Sequence, residues 1–131
     1  MLIMAELNRI LLVEDEADIQ TVARLALETV GGFTVQVCGS GQEALQALVS
    51  FNPDLILMDV MMPGMDGPAT LSELRELPQG RDIPVVFMTA KVQRSEVQQL
   101  REQGVIDVIA KPFDPMTLAD QVRVLWERAH D

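Results

Sequence analysis

The sequence is poor in cysteine, with one residue, and in basic side chains, with ten Lys and Arg against twenty Asp and Glu. A single cysteine cannot close an internal disulfide. The net charge of −10 argues against a polyanion such as nucleic acid as a direct partner and favours cationic ones, metal ions among them. No apolar run approaches the roughly 20 residues that a membrane helix needs. The opening MLIMA lacks the charged n-region and long apolar h-region of a signal peptide. These absences predict a cytoplasmic protein with no membrane contact. Linkers, repeats and low-complexity segments are missing as well, and 131 residues, 48% of them hydrophobic and 23% charged, suit one globular domain with a real core.

Along the chain, short apolar runs alternate with helical patterns. RILLV (Arg9 to Val13), FTVQV (Phe33 to Val37), LILM (Leu55 to Met58), PVVFM (Pro84 to Met88) and VIDVIA (Val105 to Ala110) read as strands. Three are almost wholly apolar, as in parallel strands covered on both faces, whereas the polar alternation of TVQVCG suits a sheet edge. Ile19, Val22, Ala23 and Ala26 recur at helical spacing before Gly31 and Gly32. Ser40 with Glu43 makes a capping box ahead of a second helix that Asn52-Pro53 closes. A third helix is predicted from Pro68 to about Leu77 and a fourth from about Gln93 to Gln103, before Gly104. A fifth opens at Asp114-Pro115, a cap followed by Pro at the first helical position, and is striped by Leu118, Val122 and Leu125. Five βα units with right-handed crossovers predict an α/β fold, a parallel sheet with helices on both faces.

Ligands of such open sheets bind beyond the carboxyl ends of the strands, where strand order reverses. Glu14 and Asp15 end the first strand, Asp59 the third, Thr89 the fourth and Lys111 the fifth. In the order 2-1-3-4-5 the first and third strands are neighbours, and three carboxylates meet at the switch point. Anions that close ask for a cation. An all-oxygen set with no supporting His or Cys points to a hard ion, Mg²⁺ before others.

Together LLVEDE, LILMDVMMPGMDG, VVFMTA and VIAKPF, each after a strand and in this order, resemble the receiver domain of two-component response regulators. The similarity spans nearly the whole chain, with a core of about residues 8–128 in a single domain of residues 1–131. The resemblance implies a doubly wound, flavodoxin-like (βα)₅ fold, Mg²⁺ dependence, and phosphorylation by a histidine kinase or histidine phosphotransfer protein. It casts Asp59 as phosphoacceptor, Glu14 and Asp15 as metal-binding acids, Thr89 as switch hydroxyl and Lys111 as phosphate-pairing lysine. Asp59 would also touch the metal, and the backbone carbonyl of Met61 is a further implied ligand. A cis Lys111-Pro112 bond is implied too. Such a domain promotes only its own phosphorylation and dephosphorylation, so it is not an enzyme acting on a separate substrate. It signals through protein contacts, expected on the face of helix four, strand five and helix five. Only AHD follows the last helix, so no output domain is expected within this chain.

Other readings fare worse. A haloacid-dehalogenase-type phosphatase places a second acid two residues after its aspartate, where this chain has Met61. A flavin phosphate needs amides and hydroxyls at the first loop, which here reads VEDEAD. A degenerate receiver that binds partners without phosphorylation is the remaining alternative, and the complete set of site residues weighs against it. Asp66 reads as a helix start. Met58, Met61, Met62, Met65 and Met88 read as the wall of the site, with Met61 a candidate shield for an acyl phosphate. Cys38 reads as a packing residue, His130 as solvated and Trp126 as partly buried. One position departs from the family pattern: Val108 stands where receivers usually carry Tyr or Phe, three residues before the lysine.

Overall fold

The computed structural model describes residues 6–91 and 93–130. MLIMA lies outside them. The elements are β1 (Arg9–Val13), α1 (Ala17–Leu25), β2 (Thr34–Cys38), α2 (Gly41–Phe51), β3 (Leu55–Asp59), α3 (Gly67–Glu76), β4 (Val85–Thr89), α4 (Arg94–Arg101), β5 (Asp107–Ala110) and α5 (Leu118–Ala129). All neighbouring strands pair in parallel, in the order β2-β1-β3-β4-β5. The fold is therefore the expected α/β one.

Side chains of a strand alternate between faces, so the apolar runs of β1, β3 and β4 supply two cores at once. Ile10, Leu12, Leu55, Leu57, Val86 and Met88 pack with Ala23 and Leu27 of the first helix and Leu118, Val122 and Trp126 of α5. Leu11, Val13, Ile56, Met58, Val85 and Phe87 pack on the other face with Ala44 and Leu48 of α2, Leu71 and Leu74 of α3 and Leu100 of α4. The strand with polar alternation, β2, lies at an edge as expected.

Local signals mostly act as read. The Ser40 hydroxyl accepts from the Glu43 N–H at 3.1 Å, while the Glu43 carboxylate accepts from Gly39 N–H. Asp66 caps α3 by accepting from Ala69 N–H at 2.9 Å. One helix changes type before its expected end, and two boundaries move. The first helix runs on through a π-helical turn, Ala26–Val30, before Gly31 and before Gly32 at φ 74°; periodicity alone does not distinguish such a turn from α-helix. A Cβ at Gly31 would lie 2.7 Å from the Ala119 Cβ, so glycine lets this turn close on α5. The last helix starts at Leu118, because the Asp114 carboxylate takes Met116 N–H at 2.9 Å and closes a turn first. Strand five starts at Asp107 and not at Val105, which packs into the core beside Leu100.

Candidate functional site

The backbone at the carboxyl edge of the sheet gathers the acids Glu14, Asp15 and Asp59 around Lys111, with Thr89 at the end of the next strand. Just past β1, Glu14 donates its N–H to Cys38 O at 3.0 Å and accepts at its carbonyl from Gln20 Nε2 at 2.5 Å. Asp59 is the last residue of β3, and α3 begins hard against it. A Cβ at Gly67 would stand 2.7 Å from Asp59 O, so only glycine permits this approach. The Asp59 Oδ1 accepts from Met61 N–H at 3.3 Å. Thr89 ends β4, its hydroxyl oxygen accepting from Lys91 N–H at 3.0 Å. Lys111 donates its N–H to Thr89 O at 2.8 Å and precedes a cis bond to Pro112. Its Nζ reaches Glu14 Oε1 at 2.9 Å and Asp59 Oδ2 at 3.0 Å.

This is a dry place for charge. Glu14, Asp59 and Thr89 are 0%, 3% and 1% exposed, and Asp15 is half-buried. Burial foremost, then the neighbouring Asp59, pushes the Glu14 carboxyl up to about 7 against the pull of Lys111. Burial works against the Lys111 ammonium too, but its hydrogen bonds to Glu14 and Asp59 win and hold its pKa above the ordinary lysine value. One ammonium faces three carboxylates, and an oxygen from each of Glu14, Asp15 and Asp59 lies within 4.8 Å of the others. Glu14 Oε2 and Asp15 Oδ1 are buried without any hydrogen-bond partner. Unsatisfied buried anionic oxygens are costly. A hard divalent cation would satisfy both, so the donor set fits Mg²⁺.

The sequence-predicted residues Glu14, Asp15, Asp59 and Lys111 therefore converge, while Thr89 joins them through its backbone carbonyl, which accepts from Lys111 N–H, its hydroxyl being held by Lys91 N–H. The methionines expected to wall the site do not form one wall, since Met58 and Met62 pack in the core on one face of the sheet and Met88 in the core on the other. Met58 and Met88 are fully buried and Met62 nearly so, but Met61 is 58% exposed, because it leaves the strand end on the solvent side. Cys38 is buried, and burial foremost pushes its thiol up to about 11. Trp126 is more buried than expected, with exposed His130 stacked on it at 4.0 Å between ring centroids. Gln20 is the residue that sequence reasoning missed. It belongs to no motif, and only the fold brings its amide to the Glu14 carbonyl.

Residues 10–123 match the response regulator receiver domain family. The DNA-binding response regulator MtrA of Mycolicibacterium paratuberculosis is 37% identical over 124 residues, 95% of this chain and 53% of the relative. A putative response regulator from Chloroflexus aurantiacus superposes with a TM-score of 0.83 at 31% identity, covering 94% of this chain and 100% of that one. The receiver domain of a signal transduction histidine kinase from Syntrophus aciditrophicus gives 0.79 at 35% identity, over 92% and 91%. The chain spans about half the length of the curated relatives it matches.

Proposed function

Because the chain belongs to the response regulator receiver domain family, we propose that Asp59 accepts a phosphoryl group from the phosphohistidine of a histidine kinase or histidine phosphotransfer protein. One observation carries this reading above all. A buried carboxylate at a strand end lies 3.0 Å from an ammonium and shares a pocket with two orphaned carboxylate oxygens. An Asp59 oxygen attacks phosphorus in line, a P–O bond forms as the P–N bond breaks, and the electron pair leaves on the imidazole nitrogen. Lys111 turns from Glu14 and Asp59 toward a phosphoryl oxygen, and the Thr89 hydroxyl donates to another. Asp15, Glu14, Asp59 and the Met61 carbonyl would hold Mg²⁺, which when bound neutralises charge on the transferring oxygens.

The chain transforms no substrate besides itself, and its signal leaves through protein contacts on the α4, β5 and α5 face. There a groove is lined by Asp107, Val108, Thr117, Gln121, Val124 and Arg128. Direct contact of this segment with nucleic acid is disfavoured by its charge of −10. Among the described residues no helix is long and apolar enough to cross a membrane, and a cytoplasmic site of action fits a phosphohistidine donor.

Acetyl phosphate with Mg²⁺ tests the assignment by intact-mass spectrometry. One phosphoryl group is expected on the wild type and none on Asp59→Asn, whose amide is not a competent nucleophile. Equal labelling of both would remove Asp59 from its role. Labelling of neither, from any phosphodonor, would leave a phosphorylation-independent interaction module.

A further inference from the structure

The turn between β1 and α1 carries both proposed metal acids that follow the first strand, yet no side chain caps the helix that begins there. Glu16 occupies the N-cap position of α1 and makes no side-chain cap bond. Glu14 is tied back to the sheet by its own N–H, which reaches Cys38 O at 3.0 Å. Its carbonyl is held from the helix side by half-buried Gln20, whose amide Nε2 donates to it at 2.5 Å.

That carbonyl belongs to the peptide unit joining Glu14 to Asp15. A peptide plane is rigid, so its orientation fixes ψ of the first residue and φ of the second together. Rotation of this one plane would swing the Asp15 carboxylate relative to that of Glu14. The two orphaned oxygens, Glu14 Oε2 and Asp15 Oδ1, flank the very unit that Gln20 holds. We infer that Gln20 is a positioning residue for the metal site, locking the Glu14-Asp15 peptide so that both carboxylates face one cation. The inference rests on the reading of Glu14 and Asp15 as Mg²⁺ ligands.

The choice of ion makes the role testable. Mg²⁺ demands near-ideal octahedral geometry at short distances, whereas Ca²⁺ accepts irregular shells of six to eight oxygens. Loosening the peptide plane should therefore weaken Mg²⁺ more than Ca²⁺. A residue that merely helps α1 to fold would weaken both equally, through stability alone.

Gln20→Met keeps the length and shape of the side chain and removes the donor. Calorimetric titration of the folded protein with Mg²⁺ and, separately, with Ca²⁺ reads the effect without any phosphorylation. Loss of one hydrogen bond predicts a fall in Mg²⁺ affinity of roughly three- to ten-fold. The fall for Ca²⁺ should be smaller, and the melting temperature of the metal-free protein should change little. Gln20→His, which keeps a ring N–H donor, should recover part of the Mg²⁺ affinity, and Asp15→Asn marks full disruption of the site. Unchanged Mg²⁺ affinity in Gln20→Met, or equal losses for the two ions, would overturn the positioning role while leaving the metal site intact. A wild-type protein that binds no Mg²⁺ would overturn the metal site itself.

Discussion

The centre of the sheet and its α4–β5 edge are built to opposite specifications. In β3 and β4 every residue is buried, and β1 is buried from Ile10 onward, with Leu57, Met58, Phe87 and Met88 wholly out of solvent. At the edge, Leu100 is the buried residue of a largely polar α4, whose other apolar residue, Val97, is half-buried and whose N-cap Gln93 makes no side-chain bond. An exposed ion pair, Arg101 to Asp107 at 2.9 Å, ties that helix to β5. The acids hang from the part of the molecule least able to move. The edge, with few apolar contacts, is the part whose conformation costs least to change. The proposed phosphoacceptor site and the proposed readout face thus fall on regions built to different specifications.

Core truncation should expose this contrast most strongly. Phe87→Ala removes a fully buried ring between α3 and the sheet, and a loss of about 3–5 kcal/mol is expected in urea unfolding. Arg101→Ala breaks a pair whose side chains are 50% and 25% exposed, so less than about 1 kcal/mol should be lost. Comparable losses from the two would erase the distinction between centre and edge.

The next largest effect concerns protons at the site. Glu14 has a folded pKa of about 7 against a usual 4.5. Between those values the folded chain binds a proton that the unfolded chain has released, so stability falls as pH rises through this window. The contribution is on the order of 1–3 kcal/mol. Thermal melts of the metal-free protein, compared with Glu14→Gln, isolate it from other titrating groups. The difference between the two should shrink below pH 4.5 and grow toward neutrality, at the expense of the wild type. Saturating Mg²⁺ should remove that penalty, because the cation stabilises the ionised form. A difference that does not vary with pH would mean that Glu14 is no harder to ionise in the fold than outside it.

Much of this was legible in the sequence because the centre obeys simple rules. Apolar runs such as LILM mark strands covered on both faces, and residues at their carboxyl ends must converge once the strand order is set. Glu14, Asp15, Asp59, Thr89 and Lys111 all follow from that logic. What escaped depends on short-range backbone geometry: a single π-helical turn, a carboxylate serving an amide two residues on, and a side chain reaching a carbonyl six residues back. The π-helical turn at Ala26–Val30 spans only five residues, too few for its longer i→i+5 repeat to show in the apolar spacing. Asp114 was expected to cap the helix directly, but its carboxylate serves a preceding turn. Gln20 carries no pattern, since its partner is a backbone carbonyl and carbonyls have no sequence signature.

The smallest expected effect lies at Val108, and it tests the edge as a readout. Here β5 carries a valine where receivers usually present an aromatic ring, and Val108 is half-buried against the core cluster of Phe87, Leu100 and Val105. A β-branched side chain has a stiff χ1, so no ring can swing between solvent and core when Thr89 turns toward a phosphoryl group. The move open to this chain is different. The Thr89 hydroxyl oxygen accepts from Lys91 N–H, and turning it toward Asp59 releases that amide. The adjoining groove, lined by Met61, Lys91, Glu96 and Leu100, borders the lightly anchored start of α4. Phosphorylation should thus shift a balance between conformations at Lys91 and the first turn of α4, with Val108 nearly still. Amide and methyl NMR spectra with and without beryllofluoride, a phosphoryl mimic, measure this directly. Large shifts at Lys91 and Arg94–Val97 with small ones at the Val108 methyls are expected. The reverse pattern would show that β5 transmits the signal without an aromatic ring.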